Sequence, residues 1–201
     1  MPAGVYTVMD GKGNSVGTEE FRCAPGPAGW RYFATIETSD PEPHREAVDF
    51  VVDGWWLPVR LRIDSGSHDV DLTAEEDRLR GTRDGEPLDI PWETRLDLDY
   101  FSPCFNAVTA NRLGRTEEIR VVYLDPVTCE PHLVSQRYEL RGQEEVDTPV
   151  GRFTASRWQY TALDSGWTGP LWVSGDIVVS FQNVFELASY DPGPRGPFPL
   201  R

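Results

Sequence analysis

The 201-residue chain carries 33 aspartates and glutamates against 19 lysines and arginines, a formal net charge of −14. A surface of that sign repels phosphate backbones and no basic stripe interrupts it, so no nucleic-acid partner is expected. The length suits one domain with a sizeable core, while 18 glycines, 17 prolines and 7 tryptophans suit many short strands joined by tight turns.

The opening "MPAGVYTVMD" lacks a basic region followed by an apolar one, and no later run approaches the roughly 18 apolar residues of a membrane span, so the chain reads as soluble and cytoplasmic. "GVYTVMDGKGNSVGTEEFR" reads as a hairpin turning near Asp10-Gly11, and "GWRYFATIET" comes next as a strand. Lys12, the only lysine, sits in that turn, which leaves no residue for Schiff-base chemistry. In "EAVDFVVDG", Val48, Phe50 and Val52 share one face and Asp53-Gly54 makes a hairpin turn. Alternation in "WWLPVRLRID" then places Trp55, Leu57, Val59, Leu61 and Ile63 on one side and Trp56, Pro58, Arg60, Arg62 and Asp64 on the other. "DVDLTAEEDRLRGTRDGEPLD" is read as strand, short loop, strand, although Thr73 and Glu76 resemble a helix cap. Asp84-Gly85 and Gly175-Asp176 punctuate further strands, and the pattern gives about a dozen, a barrel or sandwich number.

The stretch "YFSPCFNAVTANRLG", residues 100 to 114, fits neither period and separates two alternating segments, "ETRLDLD" and "EEIRVVYLD". It is long beside hairpin loops of about 2–5 residues, and such loops are commonly functional. It is expected to cross the mouth of a barrel. Tyr100, Phe101 and Phe105 would turn inward, with Asn106, Asn111 and Arg112 as sparse polar groups suited to an apolar ligand with a polar end. The alternative is a plug, in which the aromatics fill the core and Arg112 pairs with an acid. The end of the chain, 191 to 201, reads as a Pro/Gly-rich arm beyond a domain spanning 1 to 190.

Chemical signatures are few. There is no G-x-S-x-G elbow and no phosphate loop; His44, His68 and His132 share no ligand spacing, and Asp97 with Asp99 reads as a solvated pair. Cys23, Cys104 and Cys129 are too scattered for zinc or a disulfide framework and read as free thiols. No metal and no cofactor is expected.

The order "VDTPVGRFTASRWQYT", "LWVS", "IVVSF", "FELASYD" resembles the C-terminal half of bacterial domain-of-unknown-function proteins, and "DLDYFSPCFNAVTANRL…VVYLD" is similar to a bacterial glycolipid-binding family. Together these cover about residues 96 to 191; Asn106, Arg112 and Leu113 fall on matching positions, while Thr109 and Asn111 depart from the pattern. The resemblance implies a curved antiparallel sheet, a half-barrel akin to lipoprotein carriers with an apolar interior. The fold class expected is therefore all-β, a single curved antiparallel sheet closed or nearly closed, with a long loop or short helix at the mouth.

Two functions are expected on these grounds. One is a cofactor-free cyclase acting on a flexible polyketide-like substrate by Diels-Alderase-like templating, since holding reacting ends together supplies several kcal/mol. Its catalytic residues would be Arg112 and Asn106, orienting or polarising a carbonyl, and Tyr100, donating a hydrogen bond. Trp55, Trp56, Trp92, Phe101, Phe105, Asn111, Trp158, Tyr160 and Trp172 would bind the substrate. The other is a non-catalytic carrier of lipid or glycolipid. Either way the partner is an apolar small molecule, and the oligomeric state is left open.

Overall fold

A computed structural model describes residues 1–26, 28–39, 43–92 and 96–193. Residues 194 to 201, most of the expected arm, lie outside the described residues. The N-terminal half runs through β1 (Ala3–Met9), β2 (Ser15–Gly26), β3 (Gly29–Thr38) and β4 (His44–Asp53), then β5 (Pro58–Asp64), β6 (Asp69–Ala74), β7 (Arg78–Arg83) and β8 (Glu86–Pro91). The second half holds β9 (Asp97–Asp99), the helix α1 (Pro103–Leu113), β10 (Glu117–Leu124), β11 (Pro131–Thr148), β12 (Gly151–Ala162), β13 (Trp167–Ser174), β14 (Ile177–Phe181) and β15 (Phe185–Asp191).

All fifteen strands belong to one sheet, in the order β8 back to β1, then β15 back to β9. Each strand pairs antiparallel with its neighbours except β9, which lies parallel to β10 because α1 carries the chain across between them. The pairing of β1 with β15 puts the first and last strands side by side in mid-sheet, while β8 and β9 form the two edges. The sheet is thus curved but not closed, a β-barrel-like half-barrel.

Period-two patterning sets the inner face. Trp30, Tyr32, Ala34 and Ile36 of β3 and Val48, Phe50 and Val52 of β4 are all buried, as alternation requires. The segment after Asp53 departs from it. Asp53 Oδ1 accepts the backbone N–H groups of Trp55 at 2.8 Å and Leu57 at 2.9 Å, and Trp56 adopts a φ of 65°. The strand starts only at Pro58, and a bulge opposite Val51 and Val52 shifts the register. Trp55 is therefore 80 % exposed and Val59 faces out, while Trp56 leans on Trp30 at 5.6 Å between ring centroids. Leu61 and Ile63 keep their inward places beyond the bulge.

The aperiodic stretch is a helix inside the half-barrel. Ser102 is extended at the N-cap, Pro103 opens the first turn, and Gly114 ends it at a φ of 60° with its N–H on the Ala110 carbonyl. Phe105 stacks on Phe50 at 4.6 Å, and α1 packs against β14 and β9. Phe105, Ala107, Val108, Ala110 and Leu113 are all buried, and so are the polar Asn106 and Thr109. A helix enclosed nearly all round has no polar face, so the periodicity by which surface helices are recognised is missing from its sequence. Full burial of a side chain such as Phe105 contributes about 1.5–3 kcal/mol. Cys23, Cys104 and Cys129 are free and buried. No helix among the described residues is long and apolar enough to cross a membrane.

Candidate functional site

One rim of the half-barrel holds a cavity of about 670 Å³ between the ends of β1, β3, β12 and β14 and the starts of β4, β13 and β15. Ile36, Phe101, Val134, Trp167, Phe181 and Phe185 supply much of its wall. Tyr160, Trp167 and Phe181 pack on one another with centroids 5.5 to 5.8 Å apart, and Phe101 meets Phe185 at 5.0 Å.

Polar groups share the lining with these apolar walls. β4 sends His44 and Glu46 into it from the same inner face as Val48 and Phe50. Glu46 accepts the Tyr100 hydroxyl at 2.6 Å on one oxygen and meets His44 Nε2 at 2.8 Å on the other. The Thr38 hydroxyl stands 3.1 Å from the same imidazole nitrogen. Asp99, at the end of β9, accepts Gln136 Nε2 at 2.5 Å, and Asn106 of α1 donates to the Tyr138 hydroxyl at 2.9 Å. Burial pushes the Asp99 carboxyl up to about 6, against the hydrogen bond from Gln136. Burial, reinforced by the Glu46 charge, also holds the Tyr100 phenol well above its ordinary value, so it stays a neutral donor.

Another buried carboxyl, that of Glu19, does not line the cavity. Glu19 accepts the Tyr32 hydroxyl at 2.6 Å and the Ser102 hydroxyl at 2.9 Å on Oε1, while Oε2 has no hydrogen-bond partner among the described residues. Burial raises its carboxyl to about 8, so it carries its proton at neutral pH. It ties the start of α1 to β2 and β3.

Of the residues singled out from the sequence, Tyr100, Phe101, Asn106 and Tyr160 line the cavity. Arg112 does not: its guanidinium grips Asp97 in bidentate fashion at 2.7 and 2.5 Å, and burial raises the Asp97 carboxyl against that pairing. Asn111 bridges the Ala107 carbonyl and the Gly175 carbonyl of the β13–β14 turn. Phe105 is held by Phe50, and Trp158 is buried edge-on to Tyr138 with its Nε1 lacking a partner. Trp92 and Trp56 are half-buried against the core. Trp172 lies on the outer side, with Nε1 on Glu144 at 2.6 Å and Arg157 over its ring, and Trp55 is in solvent. The Asp97 and Asp99 pair is not solvated as expected, because β9 is flanked by β10 on one side and covered by α1.

The residues that sequence reasoning passed over are His44, Glu46, Asp99 and Gln136. A signal existed for two of them: extending the inward register of Val48 back by steps of two reaches Glu46 and then His44. A larger depression of about 1020 Å³ lies across the outer side of β15 and β1 to β5. It presents Arg22, Asp49 and Arg62 with Glu20, Asp64, Asp69 and Asp191; Asp49 is paired with Arg31 and Arg62 with Asp71.

Among the described residues one open curved sheet wraps about a single helix, and the fold is similar to those of solved proteins. A DUF1089 family protein from Pseudomonas aeruginosa superposes with a TM-score of 0.58 at 18 % identity, over 84 % of this chain and 91 % of that one. A β-barrel-like protein of the domain of unknown function DUF1849 from Brucella abortus gives a TM-score of 0.51 at 10 % identity, over 96 % and 98 % of the two chains. At such identities the likeness is one of fold. No protein-family model and no curated protein matches the chain.

Proposed function

We propose that the chain binds an elongated, mainly apolar small molecule in the rim cavity, with its polar end at Glu46, Tyr100 and Asp99, and carries or senses it. The observation that supports this is convergence: aromatic and aliphatic walls lead to a cluster of buried hydrogen-bonding groups inside about 670 Å³, a volume in the range of ordinary ligand sites. Burying a ten-carbon chain contributes about 8 kcal/mol at roughly 0.8 kcal/mol per methylene. Association costs of about 4–15 kcal/mol offset much of that, so the polar end decides which amphiphile is held.

Cyclisation is the second reading, and one observation favours it: Tyr100 and Asn106 both line the cavity, where a folded polyene would lie. Arg112, by contrast, is turned to Asp97. One experiment serves both. Purified protein is titrated with a series of twelve-carbon amphiphiles and with a linear conjugated polyene acid, and retention, mass and chromatographic behaviour are recorded. The carrier reading expects bound, chemically unchanged ligand, and Ala162→Trp, which fills the cavity from β12, should abolish binding while leaving the melting temperature within a few degrees. A mass-conserving product with a new retention time would establish the cyclase instead, and absence of binding across the series would overturn the proposal.

A further inference from the structure

Glu46, Asp99 and the aromatic wall share one cavity, and their chemistry selects the head of its ligand. Four carboxylate residues line it, Asp10, Glu46, Asp99 and Asp164, and none of the described lining residues is a lysine or arginine. Three donors beside these carboxylates are engaged by acceptors of the protein: the Tyr100 hydroxyl by Glu46, one Nε2 hydrogen of Gln136 by Asp99, and one Nδ2 hydrogen of Asn106 by Tyr138. Each carboxylate keeps acceptor capacity for a guest in its remaining lone pairs. A carboxylate or phosphate head would meet like charge, and the group in the described lining able to carry a positive charge, His44, already faces Glu46. An ammonium head meets these acceptors and the faces of Tyr160, Trp167 and Phe181 in the wall, which attract cations through their ring quadrupoles.

From this geometry we infer that the ligand is a lipophilic amine: an organic cation whose ammonium group lies at Glu46 and Asp99 and whose apolar body lies against the aromatic wall. The inference rests on the rim cavity being the binding site and adds the class of molecule it takes. The chain's net charge of −14 favours approach of a cation over long range in the same sense.

The test compares dodecylamine, 1-dodecanol and dodecanoate, each below its micellar concentration at pH 7.5, by calorimetric titration against the wild type, Ala162→Trp, and the double variant Glu46→Gln, Asp99→Asn. Dodecylamine should bind at least tenfold more tightly than dodecanol and at least a hundredfold more tightly than dodecanoate. The double variant should lower amine affinity at least tenfold more than it lowers dodecanol affinity, with circular dichroism and melting temperature confirming that it is folded. Each carboxylate is also replaced singly, so that a double variant that fails to fold leaves two usable measurements. Equal affinity for amine and alcohol, or preference for dodecanoate, in a form still blocked by Ala162→Trp would overturn the amine and keep the cavity. Loss of all binding, or binding indifferent to Ala162→Trp, would overturn the cavity itself.

Discussion

Glu19 and Glu46 make an instructive pair. They sit on the inner face of β2 and β4, both fully or nearly fully buried, and each accepts a tyrosine hydroxyl at 2.6 Å. Glu19 is sealed between Tyr32, Ser102 and the start of α1, whereas Glu46 opens onto the rim cavity beside His44. The same functional group therefore serves as an internal brace in one place and as part of a candidate site in the other. Access decides, since burial without a void leaves a carboxyl nothing to bind but its own protein.

The two regions can be separated by substitution. The largest effect is expected where a buried charge loses its partner: Arg112→Ala leaves Asp97, whose side chain is 1 % exposed, without its cation. It should cost about 3 kcal/mol of stability, read as a fall in melting temperature, with amphiphile binding retained at temperatures where the fold persists. An Arg112→Ala protein that melts normally yet loses binding or turnover would move Arg112 into the site and break the division.

The next effect is one of pH. Glu19 keeps its proton up to about pH 8 in the folded chain, but releases it near its ordinary value of 4.5 once unfolded. Between those values unfolding releases a proton, so the stability contributed below about 4.5 is lost as pH rises toward 8, by up to about 1.4 kcal/mol per pH unit. Glu19→Gln should flatten that slope in urea melts taken from pH 5 to pH 8 and be the more stable protein at the upper end. Parallel slopes for variant and wild type would show that Glu19 is ionised in the fold.

The smallest effect is expected at Trp55, which the alternation of its neighbours placed inside and the structure leaves 80 % exposed. Trp55→Ala should change stability by less than about 0.5 kcal/mol and leave ligand affinity as it was. A larger loss would mean that the loop after Asp53 packs on something.

Strands were legible wherever one face is greasy and the other wet, as in β3 and β4, because their side chains alternate with a period of two. The helix was legible only as one of two options, a long loop or a short helix, although Pro103 and Gly114 mark its ends, since enclosure nearly all round removes the polar stripe that period 3.6 needs. Trp55 and Val59 were misplaced for different reasons: Trp55 sits in the turn on Asp53 ahead of the strand, and Val59 lies at a bulge, whose added residue inverts the facing on one side of it relative to the other. Within the site, Tyr100, Phe101 and Asn106 were visible as a break in pattern; Glu46 and His44 were hidden among the many charged residues of an acidic chain.

Local patterning thus determined by itself that this chain makes a sheet of many antiparallel strands with an apolar inner side, because alternation and turn chemistry act over only a few neighbouring residues. Which carboxylates are sealed, which face a void, and that Arg112 answers Asp97 were settled by tertiary structure alone. Those facts depend on β2, β4, β9 and α1 meeting across the interior, and contact between segments so far apart leaves no mark in the sequence of any one of them.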